Sequence, residues 1–437
     1  MSYKILSLDG GGSWALVQAR VLLDIYGDIR GHEILRQFDM AIANSGGSLV
    51  LACLCTDMKI SEIIGVFKNQ DEREQVFSSL TLLERLGWHD LASFIKSLGP
   101  KYSMKRKLEG LRKILTDKDH LFKEKVISKP VIDTPLNELP AIIKKDTLQI
   151  LIVGFDYFHE RVSFFRSNTK SETDKFSAGK FYQVTLAHAI HSSSNAPISY
   201  FDAPAEINVS LLNGNDKRTT WYWDGAVSGF NNPVLAGLIE ATTNNYKSPQ
   251  EYSILSLGTG TGSQAIITDY EYSTDPNLKA IYDKNKNNKD FAVTSTSSGF
   301  IQNIKKMSES ILDDPPDSAT FIAYSILDPS LSNTANLVRI NPCTRAVFND
   351  STGLYDAPEV YRNMEGGVQK FIDLMDLGMD AVKDEEVNLI DEMCNYFIVN
   401  DNSSSLPNQL IRGDTGSKIF LGQPTYKEAK AKWATCK

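Results

Sequence analysis

One serine of the sequence stands between a short apolar strand and a helix of small residues. The strand is predicted to end near Ala43 and the helix to begin at Gly46, with Ser45 in the turn between them. A serine in such a turn takes a strained backbone, so its neighbours must be small, as Ala43, Gly46 and Gly47 are. The context is that of a nucleophile elbow, with alanine in place of the first glycine of the usual GxSxG pattern. It predicts attack by a serine hydroxyl on an acyl group.

An aspartate could activate this serine, because a serine hydroxyl is a weak nucleophile until a base removes its proton. Asp224 ends an aromatic strand and is followed by Gly225. Its carboxylate is therefore expected to project from a tight turn into a cleft. Within hydrogen-bond distance of Ser45, it could take the proton directly. We predict Asp224 as the base.

Two histidines offer an alternative base. His188 and His191 lie close together in the chain, and histidine is the usual partner of a catalytic serine. His191 is the last histidine, so a triad in the order serine, acid, histidine must take its acid from before it. The residues alone leave this alternative open.

Three consecutive glycines follow the first predicted strand. Gly10, Gly11 and Gly12 come directly after Asp9. Successive glycine amides can point into one concavity, and a helix that starts near Ser13 adds the positive end of its dipole. We predict that this loop is the oxyanion hole, where the loss of one donor typically costs roughly 100- to 1,000-fold in rate.

The same loop also fits a nucleotide-binding pattern. Gly10, Gly12 and Ala15 match the GxGxxG/A fingerprint of dinucleotide sites. The second strand of such a site should end in an acidic residue for the ribose, whereas here it ends at Ser45. A second glycine-rich stretch, 257–262, has no GK[ST] after it. Nucleotide binding is therefore the weaker interpretation, and no cofactor is expected.

The predicted elements place these residues on an α/β fold. Helices are predicted over 15–26 and 46–55, so strands and helices alternate from the start of the chain, which indicates a parallel sheet covered by helices. The predicted strands are 4–9, 38–44, 147–156, 161–167, 219–223 and 251–257.

The chain is long enough for one large unit with additions. We predict a main domain over 1–340, with a helical insertion at about 57–125 and a mobile polar loop at about 282–299. A helical C-terminal extension, 341–437, is expected to pack on this domain.

Composition excludes several classes of protein. The net charge of -8 argues against a nucleic-acid binder. The sequence has no apolar run of about 18 residues and no signal peptide, so a cytoplasmic location, or export without a cleavable signal, with only peripheral membrane contact is expected. The five scattered cysteines fit free thiols, and the pair Cys53 and Cys55 lacks further ligands for a metal.

Taken together, the motifs resemble the patatin-like phospholipase family in order and spacing. The resemblance covers about residues 4–265. It rests on Asp9–Gly12, Ser45 after Phe38-Asp39, Asp224-Gly225-Ala226 with Asn231-Asn232-Pro233, and the supporting segments 164–167, 192–197 and 256–260.

The resemblance implies a three-layer α/β/α fold with a central, mostly parallel sheet. It also implies a Ser45/Asp224 dyad that cleaves fatty acyl esters of phospholipids or lysophospholipids through an acyl-enzyme, without metal or cofactor. By position, Gly10, Gly11 and Gly12 line the oxyanion hole. The alternative is a catalytically weak or inactive relative that binds lipid. The expected partner is an acyl lipid, and protein partners are not specified.

Two features depart from the family pattern or extend it. Trp14 and Ala15 stand where the family usually has a basic residue and then glycine, and we predict Trp14 either as a wall for an acyl chain or as ordinary helix packing. Within the insertion, an apolar lid and a basic run that touches lipid head groups are alternatives to core packing and plain surface. The lid candidates are Trp88, Leu91, Phe94 and Ile95, and the basic run is Lys101, Lys105, Arg106 and Lys107.

Overall fold

A computed structural model describes most of the chain. The described residues are 2–81, 84, 100–168, 182–197, 200–211, 217–244, 251–260, 315–344, 347–349, 354–356, 366, 370, 373–374, 377–400, 408–411 and 418–436. The predicted polar loop at 282–299 and the four lid candidates from Trp88 to Ile95 lie outside the described residues.

Strands are found throughout the described parts of the chain. They are β1 (Tyr3–Leu8), β2 (Met40–Ala43), β3 (Gln149–Asp156), β4 (Arg161–Arg166), β5 (Tyr182–Gln183), β6 (Ala205–Leu211), β7 (Lys217–Asp224), β8 (Tyr252–Leu257), β9 (Leu337–Ile340), β10 (Val347–Asn349), β11 (Leu354–Asp356), β12 (Asn408–Ile411) and β13 (Lys418–Leu421). The six predicted strands correspond to β1, β2, β3, β4, β7 and β8.

One mixed sheet forms the centre of the molecule. Its order is β5-β6-β7-β3-β2-β1-β8-β9, and β4 also pairs with β3. The strands β3, β2, β1, β8 and β9 are parallel neighbours, as the alternation of strands and helices predicts. The strands β4, β5, β6 and β7 add an antiparallel half. The parallel half therefore carries the glycine loop and Ser45, and the antiparallel half carries Asp224.

Helices cover both faces of this sheet. They are α1 (Leu16–Tyr26), α2 (Gly31–Leu35), α3 (Ser45–Cys55), α4 (Ile60–Lys68), α5 (Gln70–Val76), α6 (Met104–Asp117), α7 (His120–Lys123), α8 (Leu139–Ile143), α9 (Leu186–Ser193), α10 (Val234–Asn244), α11 (Pro315–Leu327), α12 (Asp384–Val399) and α13 (Tyr426–Cys436).

Alternating side chains of the central strands divide the core in two. Leu6 and Leu8 of β1 join a cluster with α1, α3, α9, α12 and α13, whereas Ile5 joins a second cluster with α10 and α11. Successive residues of a strand point to opposite faces, so each apolar strand supplies both clusters. The predicted three-layer α/β/α fold is confirmed.

The C-terminal part differs in detail from the prediction of a helical extension. Helices α12 and α13 are present, but two short hairpins, β10–β11 and β12–β13, accompany them. Strand β9, which extends the main sheet, is also absent from the prediction, because four residues give too little pattern to recognise. The division of the chain at residue 340 stays a prediction.

Candidate active site

Ser45 lies at the carboxyl end of β2, beside the glycine loop that follows β1. The two strands are parallel neighbours, and Leu8 at the end of β1 pairs with Ala43 at the end of β2. The segments that follow β1 and β2 therefore leave the sheet at the same edge, where open α/β sheets usually bind their ligands.

The backbone of Ser45 is strained. The residue begins α3 with a φ of 45°, in the left-handed region. Such strain costs of order 1–3 kcal/mol and is concentrated at functional sites. Positions 46 and 47 have no room for a side chain. A Cβ on Gly46 would lie 2.6 Å from Gly12 O, and a Cβ on Gly47 would lie 2.5 Å from Leu8 O. Small residues after the serine thus let α3 pack directly on the end of β1.

Asp224 reaches the same edge from the antiparallel half of the sheet. Ala43 pairs with Ile152 of β3, and Asp224 pairs with Gly154, two residues further along that strand. Asp224 therefore lies just beyond the end of β2, at the level of Ser45. The sequence predicts a pairing of these two residues across 179 positions, and the sheet brings them together.

Asp224 is held as a buried carboxylate. Its Oδ1 accepts hydrogen bonds from Asn44 Nδ2 at 3.1 Å and from the Ala226 amide at 2.9 Å. Burial raises the pKa of Asp224, while hydrogen bonds from the Ser45 hydroxyl, the Ala226 amide and the Asn44 amide, together with the charge of Lys107, lower it. A carboxylate with a raised pKa is the stronger base when it is ionised.

Ser193 and Asn44 are site residues to which the sequence alone assigns no role. The Ser45 amide donates to Ser193 Oγ at 3.0 Å, and Ser193 Oγ donates to Asn44 Oδ1 at 3.3 Å. Because Asn44 Nδ2 donates to Asp224, one chain of hydrogen bonds runs from the Ser45 backbone to the carboxylate. Ser193 is part of the family-like segment 192–197, but nothing local in the sequence indicates contact with a residue 148 positions earlier.

Lys107 is a fully buried lysine behind the site. Its Nζ donates to His191 O at 2.9 Å and to Asn195 Oδ1 at 3.2 Å, and lies 4.3 Å from the centre of the Phe201 ring. The Asp224 amide donates to the carbonyl of Asn195 at 3.0 Å. Burial lowers the pKa of Lys107, and the charge of Asp224 opposes this. The hypothesis that Lys107 touches lipid head groups is wrong, because the residue is 0% exposed.

The other members of the predicted basic run differ in their contacts. Lys101 forms an ion pair with Asp380 at 2.9 Å, and Arg106 forms one with Glu84 at 2.6 Å. The first pair joins the insertion to the C-terminal part of the chain, and the second lies within the insertion. The run therefore does not form one surface of unpaired charges.

The backbone amides of the glycine loop differ in their hydrogen bonding. Gly10 already donates its amide to Asn231 O at 2.8 Å. Within the described part of the chain, the amides of Gly11 and Gly12 have no acceptor. The Gly12 amide lies beside the elbow, 2.7 Å from where a Cβ on Gly46 would be. Gly10 thus fixes the loop, while Gly11 and Gly12 remain able to donate.

Residues 377–383, which we call the strap, hold the glycine loop from the C-terminal side. The Ser13 amide donates to Met379 O at 2.8 Å, and Ser13 Oγ donates to Ala381 O at 2.7 Å. Gly12 has a φ of 55°, and a Cβ there would lie 2.1 Å from Met379 O. Only glycine fits this contact without displacing the strap.

Trp14 faces the strap. Its Nε1 donates to Gly378 O at 3.2 Å, and the side chain packs against the core cluster. Trp14 does not line the cleft at Ser45. Its position favours ordinary packing over a wall for an acyl chain.

The two candidate histidines lie on α9, away from the cleft lining. Burial lowers the pKa of His188 to about 4 and lowers that of His191 as well. His188 Nε2 lies 3.4 Å from Arg112 Nη2, and both ring nitrogens of His191 have no hydrogen-bond partner among the described residues. Neither ring lines the cleft.

Ser45 faces a cleft with mostly apolar walls. The larger apolar residues of these walls are Leu49, Val76, Phe77, Tyr200, Phe201 and Met379. Among the described residues, no group of three or more His, Cys, Asp or Glu side chains is placed to bind a metal ion. The cleft can hold an apolar chain next to the serine hydroxyl.

A comparison with protein families identifies the chain. The model for patatin-like phospholipases matches residues 6–238, which is more than half of the sequence. The chain belongs to the patatin-like phospholipase family. Patatin-like phospholipases are lipid ester hydrolases as a family, and the resemblance inferred from the motifs is confirmed.

Among the solved structures similar to this patatin-like protein are three of low sequence identity. VipD from Legionella pneumophila is 11% identical, with a TM-score of 0.29 over 74% of this chain and 67% of that one. The type III effector ExoU is 11% identical, with a TM-score of 0.27 over 73% and 52%. ExoU in complex with SpcU, from Pseudomonas aeruginosa, is 14% identical, with a TM-score of 0.24 over 44% and 38%. No curated protein shows a significant match.

The family match covers only part of what builds the site. Ser45, Asp224 and the glycine loop of this patatin-like protein fall within residues 6–238, whereas the strap lies beyond them. In the described portion of the chain, none of the helices is both long and apolar enough to cross a bilayer.

Proposed function

We propose that the protein is a phospholipase A type hydrolase that cleaves fatty acyl esters of phospholipids or lysophospholipids. Ser45 is the nucleophile and Asp224 is the general base. The observation that carries the proposal is that a strained helix-start serine and a buried carboxylate line the same apolar cleft. That pairing provides a nucleophile and a base without histidine.

The reaction follows from these positions. As Ser45 Oγ attacks the ester carbonyl, its proton passes to Asp224, and the amides of Gly11 and Gly12 stabilise the oxyanion. Collapse of the tetrahedral intermediate breaks the ester bond, and the leaving alcohol takes the proton from Asp224. Water then attacks the acyl-enzyme, giving its proton to Asp224. Collapse of the second intermediate releases the fatty acid, and the same proton returns to Ser45.

A serine-directed fluorophosphonate probe tests the nucleophile. Labelling of the wild type and its loss in Ser45→Ala are expected. Unlabelled wild type, or equal labelling of Ser45→Ala, would contradict the proposal and favour a non-catalytic lipid-binding protein.

Fatty acid release from phospholipid vesicles tests the base. We expect Asp224→Asn to lose almost all turnover, while His188→Gln and His191→Gln keep most of it. Full turnover in Asp224→Asn, with loss in either histidine variant, would make histidine the base instead.

A further inference from the structure

A buried ion pair adjoins the glycine loop and joins two residues that are 330 positions apart in the chain. Arg339 of β9 donates from Nη2 to Asp9 Oδ2 at 2.5 Å, and Asp9 directly precedes Gly10. Both side chains of the pair are only 4% exposed. An ion pair buried this deeply often contributes little net stability, because the attraction between the charges only offsets the cost of removing them from water. The pair is better explained by the position that it gives to Asp9.

Arg339 reaches Asp9 across an intervening strand. Strand β8 separates β9 from β1, and neighbouring strands are about 4.8 Å apart, so the side chain must extend over roughly 10 Å. Ser256 of β8 pairs in register with Arg339 on one side and with Ser7 of β1 on the other. Its small side chain leaves room for the guanidinium, and its hydroxyl accepts from Arg339 Nη1 at 2.9 Å. The serine thus fixes the guanidinium on its way to the carboxylate.

The main chain around Asp9 is also held by neighbouring elements. The Asp9 amide donates to Leu257 O at 3.1 Å, and Gln18 Nε2 donates to Asp9 O at 2.8 Å. Thr259 Oγ1 donates to Gly10 O at 2.8 Å. The chain up to Gly10 is therefore fixed through its backbone and through the side chain of Asp9. The amides that can face an oxyanion begin at the next residue.

The end of β9 supports the loop by a second route. Asn341 Oδ1 accepts from the Gly260 amide at 2.8 Å, and this fixes the turn that contains Thr259. A Cβ on Gly11 would lie 2.3 Å from Thr259 Oγ1, so the turn packs directly on Gly11. Contacts from β9 therefore reach both the start and the middle of the glycine loop.

We infer that Arg339 acts through Asp9 as a positioning residue for the oxyanion amides of the glycine loop. The inference rests on the proposed acyl hydrolysis at Ser45. Such amides must point to the place where the negative charge develops, and the loss of a single donor typically costs roughly 100- to 1,000-fold in rate. Arg339 thus affects the transition state without contact with the substrate. It lies outside residues 6–238, so the family match does not include it.

Removal of both charges separates positioning from stability. Arg339→Met alone leaves the buried Asp9 carboxylate without the arginine charge, which should lower Tm by roughly 5–10 °C. Apolar replacement of both partners is often neutral or stabilising, so Asp9→Leu with Arg339→Met should have a Tm no more than about 3 °C below that of the wild type. The kcat of this double variant on a soluble butanoyl ester should nevertheless fall at least about tenfold, with KM within about twofold of the wild type.

A transition-state mimic gives a second readout on the double variant. An alkyl trifluoromethyl ketone adds to the serine hydroxyl and forms a tetrahedral oxyanion, whereas an alcohol of the same chain length does not. The inhibition constant of the ketone should rise by the factor by which kcat/KM falls, because both depend on the oxyanion amides. The alcohol should inhibit the double variant as strongly as the wild type. A merely structural role would leave the ratio of the two inhibition constants unchanged.

A second ion pair provides the matched control. Arg20 donates to Asp391 from Nε at 2.6 Å and from Nη2 at 2.8 Å, and this pair joins α1 to α12. Arg20→Met should lower Tm but leave kcat and ketone inhibition within about twofold of the wild type. Arg339→Lys keeps the charge but not the planar fork, so its kcat should fall at least about threefold, and it provides the test if the double variant fails to fold.

Hydrogen exchange, followed by mass spectrometry, does not depend on turnover. In the double variant the amides of residues 10–14 should exchange at least about tenfold faster than in the wild type, whereas in Arg20→Met they should exchange at the wild-type rate.

The outcomes separate this inference from the proposed function. Wild-type exchange, or wild-type kcat and ketone inhibition, in a folded double variant overturns the role of Arg339 while the proposed hydrolysis stands. Wild-type kcat in Arg339→Lys overturns it where the double variant does not fold. If the wild type hydrolyses no ester but exchange over residues 10–14 depends on Arg339, the proposed chemistry fails and the positioning of the loop by Arg339 stands.

Discussion

The side-chain amide of Asn44 donates to Asp224 Oδ1 at 3.1 Å, although the two residues are 180 positions apart in the chain. The same amide accepts from Ser193 on its oxygen. Asn44 therefore orients the carboxylate relative to the serine that follows it in sequence. It does so as a positioning residue, since it does not itself line the cleft.

Substitution of Asn44 tests this relationship. Loss of one hydrogen bond to a charged group costs about 1.5–3 kcal/mol, so Asn44→Ala should lower kcat by about 10- to 100-fold. Asn44→Asp keeps the shape but puts a like charge against Asp224, which raises the pKa of one of the two carboxyls, and should be less active still at neutral pH. Steady-state kinetics at pH 7 on both variants measure this. An Asn44→Asp enzyme with wild-type kcat would show that Asn44 does not position the Asp224 carboxylate.

Two adjacent serines provide a matched pair. Ser193→Ala removes the acceptor of the Ser45 amide and should reduce kcat by about tenfold, with a loss of stability of about 1 kcal/mol. Ser192 is equally buried, but its hydroxyl has no partner among the described atoms, so Ser192→Ala should leave both quantities almost unchanged. Kinetics and urea unfolding are the measurements. Equal effects from the two substitutions would mean that the contact with Ser45 is unimportant.

The pH dependence of kcat/KM should report the ionisation of Asp224 and the effect of the nearby Lys107 charge on it. Because burial raises the pKa of Asp224, kcat/KM on a soluble short-chain ester should fall on the acid side at a pH above about 3.9, the ordinary value for aspartate. Lys107→Met removes a positive charge that favours the carboxylate, so the acid limb should move to higher pH.

Other groups near Lys107 need a control in that experiment. His191 and His188 on α9 and Arg112 on α6 also lie in this region, and the charge of Lys107 helps to keep His191 neutral. His191→Leu in the Lys107→Met background removes any new titration of that ring. If the acid limb of the pH profile stays at its wild-type position in this double variant, the charge of Lys107 does not stabilise the Asp224 carboxylate.

Asp224 should lower the free energy of unfolding at neutral pH. Since burial raises its pKa in the folded state, the contribution of Asp224 is most favourable below the unfolded value, about 3.9, and is lost as pH rises through the raised folded value. Asp224→Asn has no such dependence. We therefore expect the free energy of unfolding of Asp224→Asn, relative to wild type, to increase in urea titrations as the pH rises above about 3.9. A difference that decreases over this range would contradict the expectation.

Gly12 should be intolerant of any side chain. Its φ of 55° and the 2.1 Å approach of a Cβ to Met379 O make Gly12→Ala destabilising by roughly 1–3 kcal/mol, with loss of turnover as the loop shifts. Gly65 in α4 is the control, because a Cβ there meets nothing within 4 Å, and Gly65→Ala should stabilise the protein by about 0.5–1 kcal/mol. Thermal melts and ester turnover of both variants are the checks. Wild-type behaviour of Gly12→Ala would show that the strap contact is loose.

The parts of the site that are predictable from sequence are those with a local signature. Ser45 and the glycine loop each follow a buried apolar strand, and the small residues beside them allow the close backbone contacts that such turns require. Asp224 is recognisable because it ends a strand before glycine. The burial of Lys107 is not predictable, because a lysine in a basic stretch of helix gives no local sign that its neighbours on α9 will enclose it.

The fold is predictable to a similar degree. The central strands are apolar runs that supply both faces of the sheet, and such runs are recognisable from sequence. The strand β9 and the C-terminal hairpins are only three or four residues long, and their existence depends on partners that the sequence does not indicate. The roles of Ser193 and the strap escape prediction for the same reason, since both act through contacts more than 140 positions away.

The hydrogen bonds from Ser13 to the strap have a consequence for synthesis of the protein. A nascent chain can form β1 and the elbow early, but the carbonyls of Met379 and Ala381 emerge only after more than 360 further residues have been translated. The glycine loop thus acquires its final shape late. A ribosome-bound or prematurely terminated chain would carry Ser45 and Asp224 without a set oxyanion loop, so the timing of translation itself would delay activity until the strap has been made.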